Sequence, residues 1–306
     1  MIASIASSSA SCTIALPPNY RQADILAFHA RDAQSTAEQV QGATIRKGIV
    51  WQGHPALVEI VFKGAQARCT LSVDAPGLVA LNAALDDIAR RLLGLRMDTA
   101  SFEDTHGSHP ELGPLIAAQS GLRVPMAATP FEALTWAVTG QQINVGVALQ
   151  LRRRLILLAA RRHSSGLWCY PDAPAVARLS DSSLGEAKFS RAKTQAILSI
   201  SQGVDKGELP LDAWMTPPVP VEVIRDALLA IKGVGPWTVN YALLRGFGHA
   251  DGSLHGDVAV RNALQRLWAQ ADKVTAAQTE AWLTQFAPWR SVVAVHLWAS
   301  LSSPEG

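Results

Sequence analysis

The chain has 306 residues, 48% of them hydrophobic and 17% charged, and a formal net charge of +2. That composition fits a folded, helix-rich protein with more than one core, and no run reaches the ~18 uninterrupted apolar residues that a membrane-spanning helix needs. Three widely separated cysteines, Cys12, Cys69 and Cys169, exclude a disulfide framework, a four-cysteine zinc site and a four-cysteine iron–sulfur cluster, and point to a reducing cytoplasm. A charge of +2 permits a nucleic-acid partner without announcing one, so any electrostatic footprint must be local.

Residues 1–11 carry no Lys or Arg and read as a loose, disordered tail. From 12 to 104 the chain reads as a small α/β domain. ATIRKGIVWQGHPALVEIVF and ARCTLSV are rich in β-branched residues, with a turn at Gly53-His54-Pro55. LVALNAALDDIARRLLGL then has the three- and four-residue apolar spacing of an amphipathic helix. Beyond a polar loop at His106–Pro110 the chain is helical almost to its end. Thr129-Pro130-Phe131-Glu132 predicts a helix start with Thr129 as cap and Glu132 closing a capping box. That helix pauses at Gly140-Gln141-Gln142, and VGVALQLRRRLILLAARR follows. Further helices are expected in GEAKFSRAKTQAILSISQGV, PVEVIRDALLAI, PWTVNYALLRGF, DVAVRNALQRLW, AAQTEAWLTQF and RSVVAVHLWASL. The basic run Arg152-Arg153-Arg154 with Arg161-Arg162 is open to two readings, a solvated helix face or a DNA patch.

The stretch Lys232-Gly233-Val234-Gly235-Pro236-Trp237-Thr238 is the informative one. Two glycines one residue apart separate two helical runs, and Pro236 suits the first position of the second helix. Gly233 and Gly235 can take positive φ, leaving amide N–H groups free for an anion such as phosphate; an αα-corner that needs glycine for its bend accounts for the pair equally well. Asp257 lies 24 residues after Gly233 and opens an apolar-periodic helix. It reads as an N-cap whose carboxylate is held rigidly beside whatever the hairpin binds.

LLAIKGVGPWTVNYALLRGFGHADGSLHGD closely resembles the helix–hairpin–helix plus Gly/Pro–Asp signature of base-excision DNA glycosylases, and within them the AlkA-type 3-methyladenine DNA glycosylase II group. ELGPLIAAQSGLRVP, FEALTWAVTGQQINVGVALQL and APWRSVVAVHLW look like segments of the same family in the same order, so the resemblance covers most of the chain from Glu111 onward. It implies an α+β fold: a small N-terminal antiparallel β-sheet/α domain at 12–104, one helical subdomain from 105–129 plus 250–306, and a second, bearing the hairpin, at 130–249. It implies a cytoplasmic monomer, nucleoid-associated in a bacterium, that acts on alkylated bases in double-stranded DNA by base flipping, with no required cofactor.

Residue by residue, the resemblance places the catalytic carboxylate on Asp257, stabilising positive charge on the deoxyribose and orienting or deprotonating water. Trp237, Tyr241 and Trp298 match pocket aromatics, which suit electron-deficient methylated purines; the bland alternative is that all three are core. Superfamily members that also cut the backbone carry a lysine where Trp237 stands, so a monofunctional hydrolase is implied. The family fills the vacated helix from the loop at GQQIN. Here Gln142 replaces the usual apolar wedge and Ile143 follows, so either could intrude, and Gln141 and Gln142 could also be plain junction polars. Gly256 departs from members with a second acid, and His255 reads as a loop residue near Asp257. Backbone contacts fall on the Gly233 and Gly235 amides with the Thr238 hydroxyl, and a structural Na⁺ or K⁺ on the carbonyls of Leu229, Ile231 and Val234. A deaminated base such as hypoxanthine, or a non-catalytic hairpin DNA-binding module, are the competing readings.

Overall fold

The structure, a computed structural model, describes residues 7–216 and 219–301. It is α+β, with a five-stranded antiparallel sheet followed by helices. The sheet holds β1 (Ser8–Ala15), β2 (Glu38–Gln41), β3 (Thr44–Trp51), β4 (His54–Lys63) and β5 (Gln66–Val73) in the order β1-β5-β4-β3-β2. Helix α1 (Gln22–His29) links β1 to β2, and α2 (Leu81–Leu92) packs on the sheet. The remaining helices are α3 (Thr99–His106), α4 (Gly113–Ala118), α5 (Pro130–Gly140), α6 (Val145–Ala159), α7 (Ala173–Ala177), α8 (Asp181–Glu186), α9 (Arg191–Asp205), α10 (Val221–Leu229), α11 (Pro236–Ala242), α12 (Val258–Leu267), α13 (Ala276–Thr284) and α14 (Arg290–Ser300).

Four expectations need correction. Strand β1 begins at Ser8, inside the segment read as a tail, because its alternating side chains pair in register with β5 from Ser8–Val73 to Ala15–Gln66; residues 1–6 lie outside the described residues. The β3–β4 turn is Gln52-Gly53, both at positive φ, and His54 already belongs to β4. That is the two-residue hairpin geometry that matches strand twist. Helix α3 packs with the helical subdomain of 105–129 and 250–306, since Phe102 is fully buried with Leu112, Ile116 and the α14 core; that core therefore begins by Met97 and not at 105. Thr129 does cap α5, accepting from the Glu132 N–H at 3.1 Å, but the Glu132 carboxylate reaches the Ala128 N–H and does not close a capping box.

Glu132 is drawn elsewhere. It meets Lys47 of β3 at 2.7 Å and Arg152 of α6 at 2.9 Å, and both cations also meet Glu38 of β2. All four are buried or nearly so. Two acids and two bases thus cross the boundary between sheet and helices with no net charge, the only form in which such burial is tolerable. The arginine run is explained by the same contacts. Arg152 lies in this cluster, Arg153 pairs with Asp32, Arg154 donates to the Ala187 carbonyl, Arg161 to Gly53 and Arg162 to Gly166. Buried Arg152 fits neither reading, whereas Arg161 and Arg162 make their bonds at the surface.

Three apolar clusters fill the sheet domain, the α5–α11 unit and the unit of α3, α4, α12, α13 and α14. Helix α11 belongs to two of them. Val239 and Ala242 face the α5–α9 core, whereas Trp237 and Tyr241 face the other. A π-helical turn over Leu243–Phe247 continues it, and Arg91 of α2 donates to Gly246 O at 2.6 Å.

Burial alone would raise the carboxyls of Glu38 and Glu132, but Lys47 and Arg152 outweigh it and hold both below the ordinary glutamate value of 4.5. A depressed folded value means the unfolded chain takes up these protons first as pH falls. The cluster's contribution is therefore complete above about pH 4.5 and lost below it. We expect Arg152→Met to cost about 3–5 kcal/mol at pH 7 by urea unfolding, because it leaves an uncompensated buried charge. Glu132→Gln should show a shallower loss of stability between pH 5 and 3 than the unaltered protein.

Candidate active site

Asp257 is the N-cap of α12. Its Oδ1 accepts from the Val260 N–H at 3.0 Å, the ordinary capping bond. The same oxygen accepts from the Trp298 indole N–H at 3.1 Å, and Oδ2 accepts from the Trp237 indole N–H at 2.8 Å. Three donors from α11, α12 and α14 therefore fix both oxygens. The carboxylate stays partly open to a cleft of about 1680 Å³. Such a group can hold a fixed negative charge opposite a cation that grows during a reaction.

The expected aromatics converge here. Trp237 and Tyr241 have ring centroids 5.4 Å apart, and Tyr241 and Trp298 6.1 Å apart. All three are partly exposed and line the cleft, so they are not merely core. The Tyr241 hydroxyl accepts from the Trp136 indole at 2.9 Å, which fixes its ring.

The hairpin between α10 and α11 forms one rim. Gly233 has φ +89°, the conformation that favours glycine. Gly235 does not; its φ is −104°, so the expectation of positive φ at both fails. A Cβ on Gly235 would meet nothing within 4 Å. Its lack of a side chain therefore leaves open space in front of the hairpin. Among the described residues the N–H groups of Gly233 and Gly235 make no hydrogen bond. The carbonyls of Leu229 and Val234 accept none either, while Ile231 O accepts from Val234.

Thr238 is not the exposed hydroxyl donor expected. It is 2% exposed, and its Oγ1 accepts from Gln141 Nε2 at 2.8 Å. Gln141 Nε2 also donates to Gly233 O at 2.9 Å, so the α5–α6 turn is clipped to the hairpin. Lys193 of α9, itself buried, donates to Thr139 O at 2.5 Å and Gln141 O at 2.8 Å and holds the turn from behind. Gln142 is exposed at the tip with φ +55°, and Ile143 packs against the helical core. His255 bonds Ser253 and faces Glu280, as a loop residue would.

Sequence reasoning missed several cleft residues. Phe28 and Arg31 enter from the sheet domain, Trp136 from α5 and Arg245 from the π-helical turn. Phe28 and Arg31 lie in no recognisable pattern, and Trp136 and Arg245 stand in family-like segments without a role that the residues themselves disclose. Gln141 was in view, but its clip to the hairpin spans 92 residues.

Known proteins share the sheet domain and the overall fold. The profile of the AlkA N-terminal domain matches residues 12–129. The chain is 26% identical over 289 residues to DNA-3-methyladenine glycosylase 2 of Escherichia coli, covering 94% of this chain and 96% of that one. Over nearly its whole length the chain is similar to the AlkA-type DNA glycosylases. An AlkA relative from Mycobacterium tuberculosis is 28% identical over 222 residues, and the match spans 42% of that longer protein. The structure of a 3-methyladenine DNA-glycosylase from Archaeoglobus fulgidus superposes with a TM-score of 0.77 at 20% identity over 94% of this chain and 97% of that one, which establishes the shared fold. The family profile supports the sheet domain, the region where the residues themselves carried least resemblance.

The glycines separate two effects. Gly233→Ala forces a left-handed alanine and should cost about 1–2 kcal/mol in thermal unfolding. Gly235→Ala should change stability by no more than about 0.5 kcal/mol.

Proposed function

We propose that this protein is a monofunctional DNA glycosylase that removes alkylated bases, 3-methyladenine and 7-methylguanine among them, from duplex DNA and leaves an abasic site. The observation that carries the reading is Asp257, fixed by two indole N–H groups and a helix N-terminus and still open to a cleft large enough to admit a nucleotide. The names of its family relatives support the same activity.

In this reading the free N–H groups of Gly233 and Gly235 meet a DNA phosphate, which the missing Cβ of Gly235 lets approach closely. The turn clipped to that hairpin presents Gln142 to the space left by the flipped nucleotide, and half-buried Ile143, packed on the helical core, lines the cleft beside it. The flipped base stacks on Trp237 and Tyr241, whose faces favour an electron-poor methylated purine. As the N-glycosidic bond lengthens, the sugar gains positive charge and the Asp257 carboxylate stabilises it. The base leaves with the bonding pair. Water adds to the sugar carbon, and its proton passes to Asp257 or to solvent. An alkylated purine already bears a positive charge, so its departure needs little acid catalysis. Trp237 supplies no amine, so no Schiff base forms. The unpaired carbonyls of Leu229 and Val234 with Ile231 O suit a hard monovalent cation such as K⁺ or Na⁺, which would brace the hairpin. The protein acts without another cofactor and as a monomer.

The test is release of free base from methylated duplex DNA, resolved by chromatography. Release of 3-methyladenine and 7-methylguanine is expected, and intact binding without release of either would reject the reading. Borohydride added during turnover should trap no covalent protein–DNA adduct; a robust adduct would exclude the hydrolytic mechanism. Gly235→Ala, stable as it is, should weaken binding to duplex DNA by about tenfold, measured by fluorescence anisotropy.

A further inference from the structure

One wall of the cleft carries more positive charge than an aromatic pocket for cations calls for. Phe28, at the end of α1, has the Arg31 guanidinium 3.7 Å and the Arg245 guanidinium 5.0 Å from its ring centroid. Arg245 also stands 5.7 Å from the Trp298 ring. Both arginines line the cleft. Neither has an acidic partner within ion-pair distance among the described residues. Arg31 donates its Nε–H to the Phe28 carbonyl, and Arg245 donates Nη1–H to Pro125 O at 2.6 Å while its buried Nε finds no partner. The other cations of this wall are engaged, Arg21 with Asp24 and Arg123 with the Thr99 hydroxyl. Burial lowers Arg245 to about 10; the neighbouring Tyr241 hydroxyl opposes that shift and Arg31 adds to it, and Arg245 remains charged at neutral pH.

The consequences are electrostatic. The π faces of Phe28 and Trp298 already attract guanidinium groups, which leaves Trp237 and Tyr241 as the faces free for a base. A second cation entering the cleft is also repelled by a buried, unpaired charge, where water screens little. A neutral base suffers neither effect. Resting on the glycosylase reading above, we propose that Arg31 and Arg245 set the charge preference of the base pocket, reducing its bias toward cationic N-alkylated bases and admitting neutral damaged purines. They are specificity residues supplied by two parts of the fold, Arg31 by the sheet domain and Arg245 by the π-helical turn. Arg245 carries the larger share because it is buried; Arg31 is exposed and its field is screened.

The experiment compares single-turnover release of 7-methylguanine, a fixed cation in DNA, and hypoxanthine, which is neutral, from duplexes of one sequence. The readout is the ratio of the two rates within each variant, because a folding defect or a shifted backbone lowers both rates and leaves the ratio alone. Arg245→Met should move the ratio toward 7-methylguanine by about tenfold, and Arg31→Ala by about threefold. Arg245→Lys, which keeps the charge, should stay near the unaltered ratio. Ratios within twofold of the unaltered protein for both Arg245→Met and Arg31→Ala would overturn the proposal. So would a shift in Arg245→Lys equal to that in Arg245→Met, since charge would not be the cause. If the unaltered protein releases neither base, the glycosylase reading itself falls and this proposal falls with it, a result distinct from an unchanged ratio.

Discussion

The structure is organised around one carboxylate and its three donors. Asp257 could serve as an ordinary helix cap with the Val260 N–H alone. The indoles of Trp237 and Trp298 fix both oxygens from helices whose residues lie 20 and 41 positions away. Those bonds require α11 and α14 to flank the start of α12, and hence require α11 to pack on two cores at once. The rings that supply the N–H groups also supply cleft walls, so placing the charge and shaping the pocket are a single packing problem.

The remaining elements keep that arrangement in register with what reaches it from outside. The Lys193–Gln141–Gly233 chain joins α9, the α5–α6 turn and the hairpin, so the turn tip and the free hairpin amides cannot drift apart independently. The Glu38–Lys47–Glu132–Arg152 cluster and the Arg91–Gly246 bond join the sheet to the helices. Through them the sheet domain reaches the cleft, where Phe28 and Arg31 stand beside Tyr241 and Arg245. The N-terminal domain is thus part of the pocket wall as well as part of the scaffold.

What the sequence disclosed was mostly local. Helix starts with Thr129 or Asp257 as cap, the hairpin glycines and the Asp257 spacing all follow from short-range rules. The aromatic trio emerged through family resemblance, since nine tryptophans offer no internal way to choose two. Long-range bonding was illegible. Glu132 looks like a capping-box residue until its buried partners are seen, and Arg152 looks like one more solvated arginine of its run until its guanidinium is followed to the buried glutamates. Thr238 and Gly235 failed in the same way. One points inward to Gln141, and the other needs no special φ and leaves empty space in front of it. Phe28 and Arg31 lie in an unremarkable helix end whose meaning depends on a neighbour more than 200 residues away.

The central claim is that Asp257 stabilises positive charge on the sugar, and the affinity for charged and neutral abasic mimics tests it most directly. Duplexes carrying a cationic pyrrolidine or a neutral tetrahydrofuran in place of the damaged nucleotide differ chiefly in that charge. A site built for the transition state binds its mimic more tightly. The unaltered protein should prefer the cationic duplex by about a hundredfold or more, and Asp257→Asn should lose most of that preference while still binding the neutral one. Equal preference in both proteins would contradict the account, because the charge would then be recognised by something other than this carboxylate.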